Sequence, residues 1–255
     1  MKTQPEEHFE FLCHLHAESI DLATCLRFDK DHPWHRNLVC LYATILELTA
    51  SACILIREGV SIGVPILLRS ALEASLDFAN LASDRKYGYY MEAAERHEWT
   101  KMLRHAKEGN NPFLTAMAKR SEADDALNRM SRELAELKKK GYRPLGPKEK
   151  FEKANMEPIY QSMYNDLCCD SHNNIRALIT RHMDVPPHHE DFAVDFCPPI
   201  DFEGILPYVD TFCGIVMSTT ETLHRILKTG SEVRINELKK KSVERRKDIL
   251  TEPGV

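Results

Sequence analysis

The chain has 255 residues, with 34 Lys plus Arg against 39 Asp plus Glu and only 10 Gly. Hydrophobic residues at 43% and charged residues at 29% describe a globular chain and exclude collagen-like, low-complexity and wholly disordered classes. A formal net charge of -5 argues against a protein that coats nucleic acid along its whole surface, while a local basic face stays compatible with it.

The scarce glycines punctuate long stretches rich in Leu, Ala, Glu, Lys, Arg and Met, residues that favour helix. No run of alternating β-branched residues competes with them. The expected fold class is all-α: a helical bundle of about seven helices with a charged helical arm. A first helix is predicted over 6–28, with Phe9, Leu12, Cys13, His16, Ile20 and Leu22 near one face. Asp31-His32-Pro33 breaks the chain, and Pro33 suits a first helical turn. A second helix runs to Arg57, and Glu58-Gly59-Val60-Ser61 turns the chain. Further helices are expected over 62–83 and 87–107, before the stop Gly109-Asn110-Asn111-Pro112. A charged helix over 114–140 leads to a Pro/Gly connector at 143–147. One helix is expected over 158–183, a loop over 184–200, a core helix over 202–227 and a charged terminal helix to Leu250.

The expected organisation is a single all-α domain over 1–255. The segment 113–153, with 11 basic and 7 acidic residues, reads as an arm or insertion. The segment 231–255 reads as a charged C-terminal helix and tail. Residues 1–7 carry no signal-peptide core, and the eight cysteines form no C-x-x-C pair, so a cytoplasmic location is expected. The stretch 38–56 is long enough to span a bilayer. Glu47 at its centre, and Arg69, Glu73 and Asp77 on the next helix, oppose that reading, so no membrane partner is expected.

The third helix carries the most informative pattern. Its only charged side chains are Arg69, Glu73 and Asp77, spaced by four and therefore on one face of an otherwise apolar helix. If the second and third helices form a hairpin turning near Val60, Glu47 lies 13 residues before the turn and Glu73 lies 13 after it. Arg69 could then bridge the two carboxylates with its planar fork. The ordinary reading of such a group is a salt-bridge cluster that fixes helix register, and the sharper one is a functional site. On the helix over 158–183, His172 sits one turn after Cys168 in an apolar stripe that includes Tyr164. A histidine there is either a satisfied core residue or a general acid/base.

The run Arg69-Ser70-Ala71-Leu72-Glu73 in an apolar helix, followed about a hundred residues later by Tyr164 and Ser171-His172, resembles the helical bacterial group known as domain-of-unknown-function family 5677. The resemblance covers about 38–182. It implies an all-α fold and that Arg69, Glu73 and His172 belong together, and it brings no activity. A second, weaker resemblance lies in Arg176 and His182, whose spacing is similar to the Arg-and-His spacing of HEPN-type helical ribonucleases. That resemblance implies metal-independent RNA cleavage by small α-bundles, often dimers, many of them in bacterial defence. Ala177 stands where that family normally has a polar residue, and six helical positions turn about 240°, which separates Arg176 from His182.

Other motifs weigh less. His188-His189-Glu190-Asp191 has metal-ligating side chains without the spacing that usually gathers them. No H-E-x-x-H, phosphate-binding loop, nucleophile elbow or dinucleotide fingerprint is present. Basic runs at 138–140 and 239–247 are solvated faces or phosphate contacts. The first functional expectation is a HEPN-like, metal-independent endoribonuclease of bacterial defence or stress response, a homo-oligomer that binds RNA through basic helix faces. Its catalytic residues would be His172, Arg69, Glu73, Arg176 and Tyr164, with no cofactor. The alternative is a non-catalytic interaction module whose polar network is structural. A metal-dependent hydrolase using Glu47, Glu73, Asp77 and His172 ranks last.

Overall fold

In a computed structural model we describe residues 3–119, 122–172, 174–184 and 193–251. The chain is all-α, with a two-stranded ladder as the one departure among those residues. It uses α1 (Gln4–Ala23), α2 (Pro33–Arg57), α3 (Gly63–Ser83) and α4 (Tyr87–Glu108). These are followed by α5 (Thr115–Ala118), α6 (Ala123–Lys139), α7 (Pro147–Lys153) and α8 (Glu157–Ile159). The last four are α9 (Asn165–Ser171), α10 (Ile175–His182), α11 (Phe202–Leu227) and α12 (Glu232–Thr251). A π-helical turn, Tyr160–Tyr164, joins α8 to α9. The expected seven helices are too few. The stretch 114–140 divides into α5 and α6, and α7 forms at the end of the expected 143–147 connector, over residues to which no helix was assigned. The single helix over 158–183 breaks after Ser171. That break has a local cause: His172 leaves helical geometry, and the Asn174 side chain accepts the Arg176 backbone N–H at 2.9 Å, capping a new helix. The loop expected over 184–200 contains the strand Ala193–Val194, paired antiparallel with Met183–Asp184. His188, His189, Glu190 and Asp191 lie outside the described residues.

The chain divides into two compact units, one of residues 1–82 with 151–255, the other of residues 83–150. In the second unit α4 packs on α6, burying Tyr87, Ala93, Leu103 and Leu134. Arg96 donates to Glu133 at 2.5 Å, and the Tyr142 ring lies 4.9 Å from Tyr89 and 5.1 Å from Tyr90. Most of the charged stretch expected as an arm falls in this unit.

The first unit is built around α11. Its residues Val209, Phe212, Cys213, Val216, Thr220 and Leu223 are buried, and it packs against α1, α2 and α12. A polar node ties three helices inside this apolar layer. The Tyr42 hydroxyl lies 2.9 Å from Thr220 Oγ1 and donates to the Ser19 carbonyl at 3.3 Å, and Ser19 Oγ is 3.2 Å from Thr220 Oγ1. Buried hydroxyls that satisfy one another avoid the desolvation cost of an orphan. Among the described residues, α2 alone is long and apolar enough to cross a membrane. One face of it, Leu38, Tyr42, Ile45, Leu46 and Thr49, is buried in this layer, as in a core helix.

The α2–α3 hairpin forms as the sequence predicts. Gly59 takes the left-handed φ of +74° at the turn. Trp34 Nε1, at the start of α2, donates to the Leu81 carbonyl near the end of α3 at 2.8 Å. At the other end a Cβ on Gly63 would lie 2.5 Å from Leu55 Cδ1, so glycine permits the close approach.

The basic run on α12 is partly consumed within the unit. Arg234 pairs with Glu18 and Asp21, Lys239 with Glu221, Arg245 with Glu7 and Arg246 with Asp210. His16 and His224 are held below the ordinary histidine pKa, mainly by burial. The folded state therefore keeps both neutral where an unfolded chain takes up protons. Their stabilisation is present above the unfolded pKa of about 6.5 and is lost as pH falls below it. Thermal melts should show Tm falling from pH 7 towards pH 5, and a flat profile would contradict this assignment.

Candidate functional site

The site grows from the face of α3 that its charges occupy. Val64, Leu68, Ala71, Leu72, Leu76 and Phe78 bury the rest of the helix. Arg69 and Glu73 lie at the edge of that packing, their side chains 24% and 46% exposed. Arg69 Nε faces Glu73 Oε1 at 3.3 Å, one helical turn away, too poorly aligned for a hydrogen bond. The same oxygen is held by a second partner: the Tyr164 hydroxyl donates to Glu73 Oε1 at 2.8 Å.

Tyr164 is buried, and its position is fixed by aromatic packing. Phe151 is fully buried, with its ring 5.1 Å from Tyr164 and 5.5 Å from Tyr160, while Tyr160 stacks on Tyr164 at 5.6 Å. The tyrosine sits at the end of the π-turn, a local widening often found at functional sites. Burial, and then the Glu73 carboxylate, push its pKa up to about 12. It is therefore a neutral donor at any physiological pH. The Arg69 guanidinium lies 5.6 Å from the Tyr164 ring centroid. Burial opposes its charge, but the nearby Tyr164, Cys168 and Glu73 outweigh burial and hold the guanidinium more firmly protonated.

His172 completes the row. It is exposed at the end of α9, and its Nε2 lies 3.3 Å from Arg69 Nη1. A guanidinium can only donate, so this contact requires a neutral ring with its proton on Nδ1. A chain of contacts thus runs from the buried Tyr164 through Glu73 and Arg69 to a solvent-facing imidazole. It opens to solvent at Glu73 and His172 and is anchored in the core at Tyr164.

Four of the five residues singled out in the sequence, Arg69, Glu73, Tyr164 and His172, meet here. Arg176 does not join them. It lines a separate pocket of about 230 Å³ with Asp166, Asp170, Arg181 and Tyr208. His182, its partner in the spacing argument, is engaged elsewhere, its Nδ1 2.9 Å from the Asp195 carbonyl oxygen. Glu47 is also separate. It is exposed on α2, and Arg69 bridges Glu73 and His172 instead of two carboxylates. Among the described residues no three His, Cys, Asp or Glu side chains gather into a metal-holding group.

The Arg176 pocket holds a charge pair the sequence did not reveal. Arg181 donates to Asp170 at 3.2 Å, and the Tyr208 hydroxyl donates to the same carboxylate at 3.4 Å. Burial raises the Asp170 pKa, with Arg181 pulling the other way. Burial and then Asp170 push Tyr208 up to about 12. Asp170 and Arg181 stand eleven residues apart across the unforeseen break at His172, so a pattern read along one continuous helix could not pair them.

Residues 35–191, more than half of the chain, match the family of unknown function DUF5677, and the chain belongs to that family. No curated protein and no solved structure matches it.

Proposed function

We propose that this member of the family is a metal-independent endoribonuclease whose reacting groups are His172 and Arg69. The observation that supports the reading best is the exposed His172 imidazole in contact with an arginine that Glu73 and Tyr164 hold from behind. An RNA phosphate entering at this edge competes for the Arg69 guanidinium, a planar fork suited to phosphate oxygens. Drawing Arg69 off His172 frees the Nε2 lone pair. That nitrogen then takes the proton of the ribose 2′-hydroxyl, the 2′-oxygen attacks phosphorus, and the 5′-oxygen leaves with a proton from solvent. Arg69 neutralises the charge that builds on the pentavalent phosphorus. Glu73 and Tyr164 act as positioning residues. Arg176 stands apart from these atoms and has no part in the step, and the likeness of its spacing to HEPN-type ribonucleases carries no weight in this reading.

The test is cleavage of a mixed RNA pool in EDTA by the wild type and by His172→Ala, with circular dichroism confirming that both are folded. The expected result is cleavage by the wild type and a loss of about 10²–10⁴-fold in the variant.

One observation favours a second reading, a non-catalytic interaction module. On α10, Ile175, Leu178 and Ile179 share a face and are 71%, 37% and 40% exposed. An apolar helix face beside a self-satisfied polar network suits a docking surface. No cleavage by either protein would favour this reading.

A further inference from the structure

The Arg176 pocket lies within the first unit and holds charges that the Arg69 row does not use. Asp166 and Asp170, one turn apart on α9, and Arg176 and Arg181 on α10 line the same cavity of about 230 Å³. Ile62, Pro65 and Ile205 give it an apolar wall. Two of the four charges satisfy each other. Asp170 and Arg181 are only 18% and 12% exposed. One Asp170 oxygen accepts from Arg181 at 3.2 Å and the other from the Tyr208 hydroxyl at 3.4 Å. The other two charges are left over. Asp166 and Arg176 are exposed, and among the described residues neither side chain has a hydrogen bond or an ion pair.

That remainder, one anion and one cation on the wall of one cavity, selects its ligand by charge. A simple anion would meet Arg176 but be repelled by Asp166, and a simple cation would meet the reverse. A molecule with one charge of each sign suits both. The cavity is also smaller than the about 300–1,000 Å³ of sites for drug-sized ligands, so its ligand is small. We propose that this pocket binds a free α-amino acid with an apolar side chain. The ligand carboxylate meets the Arg176 guanidinium, a planar fork suited to it, and the ligand ammonium meets the Asp166 carboxylate. The ligand side chain lies against Ile62, Pro65 and Ile205, where its apolar surface leaves water. The Asp170–Arg181 pair with Tyr208 makes a fixed polar wall that is satisfied before the ligand arrives. Arg176 has no part in the Arg69 row, so this site and the ribonuclease reading stand or fall separately.

Isothermal titration calorimetry of the full chain with L-leucine tests the site, beside two compounds that each keep one of its charges. Isopentylamine lacks the carboxylate and isocaproate lacks the ammonium. L-Leucine should bind, and each half-ligand should bind about 10–100-fold more weakly, the usual cost of a lost charge-assisted hydrogen bond. Asp166 and Arg176 are on the surface, so Asp166→Asn and Arg176→Gln should fold normally, which circular dichroism checks. Arg176→Gln should weaken leucine by a similar factor and leave isopentylamine unchanged. Asp166→Asn should weaken leucine and leave isocaproate unchanged. Failure of L-leucine, L-methionine and L-valine all to bind would overturn the proposal. So would isocaproate or inorganic phosphate binding as tightly as leucine, or an unchanged leucine affinity in Arg176→Gln.

Discussion

Phe151→Ala should lower the stability of the first unit by about 3–5 kcal/mol, the usual cost of emptying a buried phenylalanine site. Domains are commonly stable by only about 5–15 kcal/mol, so the loss is a large fraction of the total. The size of the effect follows from position. Phe151 has no exposed surface and its ring touches both Tyr160 and Tyr164. Its removal also takes away one wall of the slot that aims the Tyr164 hydroxyl at Glu73. Urea denaturation gives the stability term. A fall of less than about 1 kcal/mol would show that the aromatic group is not packed as described. Phe151→Leu restores most of the volume and should recover more than half of the loss.

Arg69→Ala should have the opposite profile. Its ion pair with Glu73 is partly exposed, and pairs of that kind contribute at most about 1 kcal/mol to folding. Under the ribonuclease reading, removing the donor that meets the developing phosphorane charge costs about 10²–10³-fold in rate. Arg69→Lys should recover little of it, because an ammonium has no fork with which to span Glu73 and His172. Melting temperature and RNA cleavage measured side by side separate the two roles. A clear drop in melting temperature with unchanged cleavage would identify Arg69 as a structural brace.

The sequence is informative about which helices pair and weaker about which way each side chain faces. The antiparallel pairing of α2 with α3 was legible from the turn near Val60: Trp34, at the start of α2, donates to the Leu81 carbonyl near the end of α3. Counting along a chain does not fix rotation about each helix axis, and Glu47 is exposed on α2 while Arg69 meets Glu73 and His172. Tyr164 and His172 were legible for a different reason. Tyr164 lies before the helix break and His172 caps the helix at it, so helical spacing still relates them. Beyond His172 a new helix starts at the Asn174 cap, and Arg176 lines a separate pocket. Of the stripe assigned to the core face of α1, Phe9, Leu12 and Leu22 are buried, Cys13 and His16 are half-buried, and Ile20 is 48% exposed.

The π-turn before Tyr164 has a consequence for comparing chains by length. Such a turn holds one residue more than the α-turn it replaces, so everything after it is rotated by about 100° from where an uninterrupted helix would carry it. Deleting a single residue between Ile159 and Tyr164 would restore the regular winding without removing any side chain that touches Glu73. It would nevertheless swing the phenol off its carboxylate and the imidazole off its guanidinium together. A protein one residue shorter at this point could keep every polar residue named here and still lack the row they form.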